Sequence, residues 1–135
     1  MVVEDNTFNA THMSAILLEN DARGWFESGC VRDMTIRNNR FLRCAEPVIN
    51  INPQNGAPNK AVHQNIRIEG NHFALRDKVS VKGQSTTGLT VTGNTVYSDP
   101  VADDASPVII IIDCTDVEVG DNIYLPLSKW RLRTK

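Results

Sequence analysis

Apolar and polar residues alternate along this chain in short runs, and one run recurs. VVEDNTF (2–8), TIRNNRF (35–41), RIEGNHF (67–73), TVTGNTV (90–96) and EVGDNIY (118–124) each place an apolar residue three positions before an Asn and a bulky apolar residue two positions after it. The asparagines are Asn6, Asn39, Asn71, Asn94 and Asn122, at spacings of 33, 32, 23 and 28 residues. Irregular periods in that range signal a solenoid. Aligned on the Asn, Val3, Ile36, Ile68, Val91 and Val119 form one apolar column, and Met34, Ile66, Leu89 and Val117 form another two places earlier. The position between and the one after them are mostly polar, the period-two signature of a strand with one face in the core.

The flanking positions complete a repeat unit. Immediately before the Asn stand Asp5, Asn38, Gly70, Gly93 and Asp121, residues that tolerate a left-handed backbone, so a corner is expected there. Two places beyond it, Phe8, Phe41, Phe73, Val96 and Tyr124 form an inward apolar stack. A second strand follows in AILLE (15–19), PVININ (47–52), KVSVK (78–82) and VIIIID (108–113), and connectors rich in Asn, Asp, Gly, Pro and Ser link the copies. No segment has the capped apolar stripe of an amphipathic helix. The pattern predicts an all-β fold, a right-handed single-stranded parallel β-helix of about five rungs spaced about 4.8 Å apart. The asparagines are expected to form an internal ladder, each amide stacking on the next and tying down corner backbone groups that burial would otherwise strand. A β-sandwich also has short strands and turn signals, but it gives no reason for one offset to recur five times. In the outward column, Glu4, Arg37 and Glu69 alternate in sign, as in-register stacking favours.

At 135 residues, one domain is expected, with rungs over 1–124 and a cap or tail over 125–135. The formal net charge of −2 carries no basic field that would indicate nucleic acid. The longest apolar run, VIIII (108–112), is far short of the roughly 20 residues a membrane span needs. No charged-then-apolar leader is present and the strand pattern already starts at Val2, the pattern expected of a chain that continues upstream. Leu125-Pro126-Leu127 ends the strand pattern, and Trp130 is expected to lie across the last rung, with Lys129, Arg131, Arg133 and Lys135 discouraging further pairing. The first rung has no comparable cover, so either the native chain is expected to continue upstream or another copy of the chain to sit on that end as a homo-oligomer.

Chemistry is sparse. Cys30, Cys44 and Cys114 show neither a disulfide framework nor zinc spacing, and Cys44 and Cys114 read as small buried fillers. His12, His63 and His72 lack metal-ligand spacing, and His63 and His72 read as surface or loop residues. No metal or cofactor is implied. Asp103-Asp104 in a Pro- and Ala-containing loop reads as turn chemistry, and Asn9-Ala10-Thr11 is a bare glycosylation sequon. The most distinctive loop is ENDARGWFESGCVRD (19–33). It gathers Trp25, Phe26, Glu27 and Arg32, and aromatic faces beside carboxylate and guanidinium groups suit a sugar, whose C–H face stacks while its hydroxyls take hydrogen bonds. The alternative is that the two rings fold back onto the barrel while Glu27 pairs with an arginine. On a β-helix, carboxylates one rung apart lie about 5 Å from each other and those two rungs apart about 10 Å, so either glycosidase geometry is open.

DARGWFESGCVRDMTIRNNRF (21–41), with PVININP (47–53) and AVHQNIRIEGNHF (61–73), resembles the C-terminal part of the bacterial β-helical α-galactosidases of glycoside hydrolase family 110. The resemblance implies a right-handed parallel β-helix, a galactose-containing glycan cleaved at a terminal α-1,3 linkage with inversion, no cofactor, and an exported parent enzyme. It further implies that the catalytic acids lie on rungs ahead of the matched part, because none of them maps onto a residue of this chain. Of the family's sugar surround only the segment from Trp25 to Gly29 carries over. The chain is therefore read as scaffold plus one wall of a glycan site, with a non-catalytic glycan-binding or self-associating β-helix as the alternative.

Overall fold

The computed structural model describes residues 1–18, 32–51, 63–76, 78–99, 101 and 108–133. Their strands in chain order are β1 (Val2–Glu4), β2 (Thr7–Asn9), β3 (Ser14–Leu18), β4 (Arg32–Arg37), β5 (Arg40–Leu42), β6 (Ala45–Ile51) and β7 (His63–Glu69), then β8 (His72–Ala74), β9 (Val81–Gln84), β10 (Thr86–Thr92), β11 (Thr95–Ser98), β12 (Ile109–Ile112), β13 (Thr115–Gly120) and β14 (Ile123–Pro126). A short 3₁₀ helix follows at Leu127–Arg133. The strands form three sheets, ordered β1-β4-β7-β10-β13, β14-β11-β8-β5-β2 and β12-β9-β6-β3; each of the first four turns of chain adds one strand to each sheet, and the fifth adds one to the first two. All pairings are parallel. The fold is a parallel β-helix.

Register follows the sequence columns. Val3 pairs with Ile36, Ile36 with Ile68, Ile68 with Val91 and Val91 with Val119. Ile36, Ile66, Ile68 and Leu89 are fully buried, and each such aliphatic side chain contributes roughly 1.5–3 kcal/mol as an upper estimate. The rings of Phe8, Phe41 and Phe73 stack nearly parallel at 5.0 and 4.9 Å, which is the rung spacing itself. From the third sheet Val48, Ile49, Ile51 and Val81 close the core. Gly83 is needed there: a Cβ would come within 2.5 Å of Leu89 Cδ2, so the leucine fills the space a side chain would take.

The corners between the first and second sheets take positive φ at Asp5 (59°), Asn38 (55°), Gly70 (67°), Gly93 (65°) and Asp121 (55°). The left-handed turn therefore recurs at the column expected for it. The three- or four-residue stretch after each Asn is a strand in its own right, so a turn has three strands where the apolar pattern suggested two.

The C-terminus departs from expectation. Trp130 does not lie across the last rung. Its 3₁₀ helix folds back along the flank, and the indole packs edge-on to Tyr97, with centroids 5.1 Å apart and an interplanar angle of 85°. Ala74 and Tyr97 are buried beneath it, with Leu42, Leu125 and Leu127 packed alongside. The cause is the outward column Leu42, Ala74, Tyr97 and Leu125, an apolar strip on the second sheet that water would otherwise meet. The last turn stays open, and Val117, Val119 and Ile123 are 37%, 47% and 55% exposed.

Candidate functional site

The amide column is the most ordered polar feature. Asn6, Asn39, Asn71 and Asn94 each donate both a backbone N–H and a side-chain N–H to the Oδ1 of the next Asn, with amide-to-amide distances of 3.2, 3.1, 3.0 and 3.0 Å. The second hydrogen of each amide reaches back to the preceding turn: Asn39 to Val3 O, Asn71 to Ile36 O, Asn94 to Ile68 O and Asn122 to Val91 O. An interior amide thus uses both acceptor lone pairs and both donors, which is what makes a fully buried Asn tolerable. Asn39, Asn71 and Asn94 have at most 1% of their surface exposed, so the column offers nothing to a substrate.

Of the residues singled out for sugar contact, Arg32 is exposed at the head of β4, in register with Gln64. Trp25, Phe26 and Glu27 lie outside the described residues, as do Cys30 and Asp103-Asp104. Beside Arg32, the Asp33 carboxylate accepts a 2.7 Å hydrogen bond from Asn65 Nδ2. On the same sheet Glu4, Arg37 and Glu69 line up in adjacent turns. Arg37 Nε donates to Glu4 Oε1 at 2.8 Å, and chiefly this bond, with the nearby carboxylate charge, raises the guanidinium pKa further. Arg37 is ion-paired with Glu4 at the surface, and Glu69 stands in register one turn further on.

A groove not foreseen from the sequence lies between the 3₁₀ helix and the second sheet. It encloses about 240 Å³ and is lined by Asn38, Arg40, Gly70, His72 and Trp130. Arg40 Cζ sits 4.6 Å from the Trp130 ring centroid, a cation–π contact, and Tyr97 Oη lies 3.4 Å from His72 Nδ1. Guanidinium, imidazole, amide and indole are thereby brought to one place, a set able to meet hydroxyl or carboxylate oxygens. Arg40, His72 and Trp130 stand far apart in the chain, and only the return of the 3₁₀ helix joins them.

His63 differs from its expected surface position. It heads β7, is fully buried, and burial lowers its pKa below the ordinary imidazole range. Cys44 is buried with its thiol 3.5 Å from Phe8 O, whereas Cys114 is half-buried, and burial raises its thiol pKa. Among the described residues no cluster of three or more His, Cys, Asp or Glu could hold a metal ion, and no helix is long and apolar enough to cross a membrane.

No family model matches the chain. Curated relatives do. The chain is 40% identical over 124 residues to alpha-1,3-galactosidase A of Bacteroides thetaiotaomicron, a match covering 90% of this chain and 22% of the relative. It is 43% identical over 99 residues to alpha-1,3-galactosidase A of Akkermansia muciniphila, covering 73% of this chain and 17% of the relative. With alpha-1,3-galactosidase A of Streptomyces avermitilis the identity is 36% over 129 residues, covering 92% of this chain and 21% of the relative. The chain is therefore related to these galactosidases along most of its length, and it spans about a fifth of theirs.

Proposed function

We propose that this chain is a C-terminal portion of an α-1,3-galactosidase-type β-helix protein, and that it supplies solenoid scaffold and one wall of the surface holding a galactose-containing glycan. The observation that carries the reading is the extent of its likeness to proteins of that name, which runs through the repeat and through the loop with Trp25 and Glu27. In this reading the ring of Trp25 stacks on the apolar face of the sugar, and Phe26 closes that side. Glu27 and Arg32 take hydroxyls, the carboxylate accepting and the guanidinium donating in a fork. The β-helix suits this work because its hydrogen-bonded sheets hold the loop roots rigidly while loop length varies. Proton transfer and attack by water at the anomeric carbon are assigned to acids outside the chain, which spans only about a fifth of its relatives' length.

Calorimetric titration of the chain with an α-1,3-galactosyl disaccharide, beside an assay for released galactose, tests the assignment. The expected result is weak binding without hydrolysis, lowered at least tenfold in Trp25→Ala while the far-UV circular dichroism is unchanged. Hydrolysis by the chain alone would overturn the assignment of the acids. Absence of binding, or binding insensitive to Trp25→Ala, would overturn the sugar wall and leave the scaffold role.

A further inference from the structure

The flank under Trp130 differs in charge from the rest of the solenoid. None of the five strands of the second sheet contains Asp or Glu, and neither does the 3₁₀ helix laid over them. The same elements carry Arg40, Lys129, Arg131 and Arg133, in a chain whose formal net charge is −2. On the first sheet the balance is reversed, with Glu4, Asp33, Glu69, Asp116 and Glu118 against Arg32, Arg37 and Arg67. Glu69, beside Gly70 in the chain, belongs to that first sheet and stands in register with Arg37. An anion approaching the second sheet therefore meets cations with no carboxylate of the same sheet to oppose it.

The groove on this flank also has a floor that the backbone keeps bare. The corner column that holds Asp5 and Asn38 in the first two turns holds Gly70 and Gly93 in the next two. A Cβ on Gly70 would lie 2.9 Å from Asn38 Oδ1, so a side chain there would displace the amide and fill the hollow. Arg40 and His72 stand in register on the adjacent strands β5 and β8. Arg40 Cζ lies over the indole of Trp130, 4.6 Å from the ring centroid, and that buried ring is itself wedged edge-on against Tyr97. The cation is thus anchored, which lowers the ordering cost of binding to it. Guanidinium N–H donors lie in one plane as a fork, the shape that grips a carboxylate with two parallel bonds.

We infer that this groove is a binding site for a small carboxylate-bearing ligand of the acidic-sugar class. It is separate from the glycan wall proposed above, because the loop with Trp25 follows β3 in the chain and so leaves from a different sheet. Arg40 takes the carboxylate. The Asn38 amide and the His72 imidazole, each able to donate or accept, take the hydroxyls beside it. His72 Nδ1 lies 3.4 Å from Tyr97 Oη, a contact that orients the ring. The volume of about 240 Å³ falls below the roughly 300–1,000 Å³ of sites for drug-sized ligands, which limits the occupant to about one sugar residue. Phosphate, with nearly two negative charges at pH 7, would be left under-neutralised by the guanidinium lining the groove.

Titration of the full chain carrying Trp25→Phe, which leaves Trp130 as its one indole, tests the assignment by fluorescence and calorimetry. Sodium glucuronate is added at constant ionic strength, with glucose and inorganic phosphate as comparisons. The expected result is a saturable change in Trp130 emission with glucuronate at pH 7, and an affinity lower by about tenfold or more for glucose, which lacks the carboxylate. Phosphate is expected to bind more weakly than glucuronate. Arg40→Gln is expected to lower the glucuronate affinity about tenfold or more, and Asn38→Gly, which keeps the positive φ and removes the amide, about threefold. A red-shifted emission in ligand-free Arg40→Gln would mean that the substitution releases Trp130, and the Asn38→Gly result then decides. No saturable change in emission or heat, equal affinity for glucose, tighter binding of phosphate, or full affinity in Asn38→Gly or in an Arg40→Gln chain with unshifted emission would each overturn the proposal. Because Trp25 is absent throughout, failure here leaves the reading of that loop as it stands.

Discussion

The middle turns and the end turns of this solenoid carry the same residues in the same columns and fare differently. Ile36, Ile68 and Val91 are buried to within 1%, while Val119 in the same column is about half exposed. Asn39 and Asn71 satisfy every donor and acceptor of their amides. Asn6 in the same position turns one hydrogen to its own strand. Burial in a solenoid is conferred by the neighbouring turns and is not a property of the repeat itself. One sequence pattern can thus give a stabilising side chain in one copy and an open surface in another.

Truncating the stacked ring column tests that difference most severely. Phe41→Ala, between two rings, is expected to cost about 4 kcal/mol, and Phe8→Ala, covered on one side, roughly half as much, as read from urea unfolding. Equal losses would mean that the end turn is as well packed as the middle.

The amide column gives the next contrast. Asn71→Ala removes the acceptor of two Asn39 donors and the donor to Ile36 O, all in the dry interior, and is expected to cost about 3 kcal/mol or more. Asn6→Ala removes one exposed arm of the ladder and is expected to cost about 1 kcal/mol or less in the same unfolding measurement. If the two variants melt together, the column contributes no more inside than at its end.

His63 supplies the smallest and most selective effect. Burial lowers its pKa in the folded chain, so between that value and the unfolded value of about 6.5 the unfolded state binds more protons. Stability from this residue is therefore fully present above about pH 6.5 and declines as the solution is acidified through that window. His63→Phe is expected to flatten the melting temperature between pH 7 and pH 5 relative to wild type; an unchanged slope would show that the imidazole is not kept neutral by its surroundings.

The corner residues were legible because each is constrained locally. Only Gly, Asn and Asp adopt positive φ readily, so Asp5, Asn38, Gly70, Gly93 and Asp121 advertise a turn without reference to anything distant. Stacking was legible because the repeat shows the same side chain at the same offset. The strands after each Asn were less so, since three residues such as Arg40–Leu42 are too few to display a period. His63 misled for a related reason: its burial comes from the turns beside it, and an imidazole in a strand carries no mark of which neighbours it will have.

The groove beneath Trp130 was not legible at all. Arg40, His72, Tyr97 and Trp130 belong to three different turns and a terminal helix, and no local pattern links them. Residue type, period and corner chemistry thus sufficed to establish a stacked parallel β-helix with an interior amide column, because each acts within one turn or repeats between turns. Tertiary structure alone decided that the terminal helix would cover an apolar flank and leave the last turn bare. That choice depends on comparing the water-exposed area of two distant surfaces, and the hydrophobic effect, being non-directional, leaves no local trace of it.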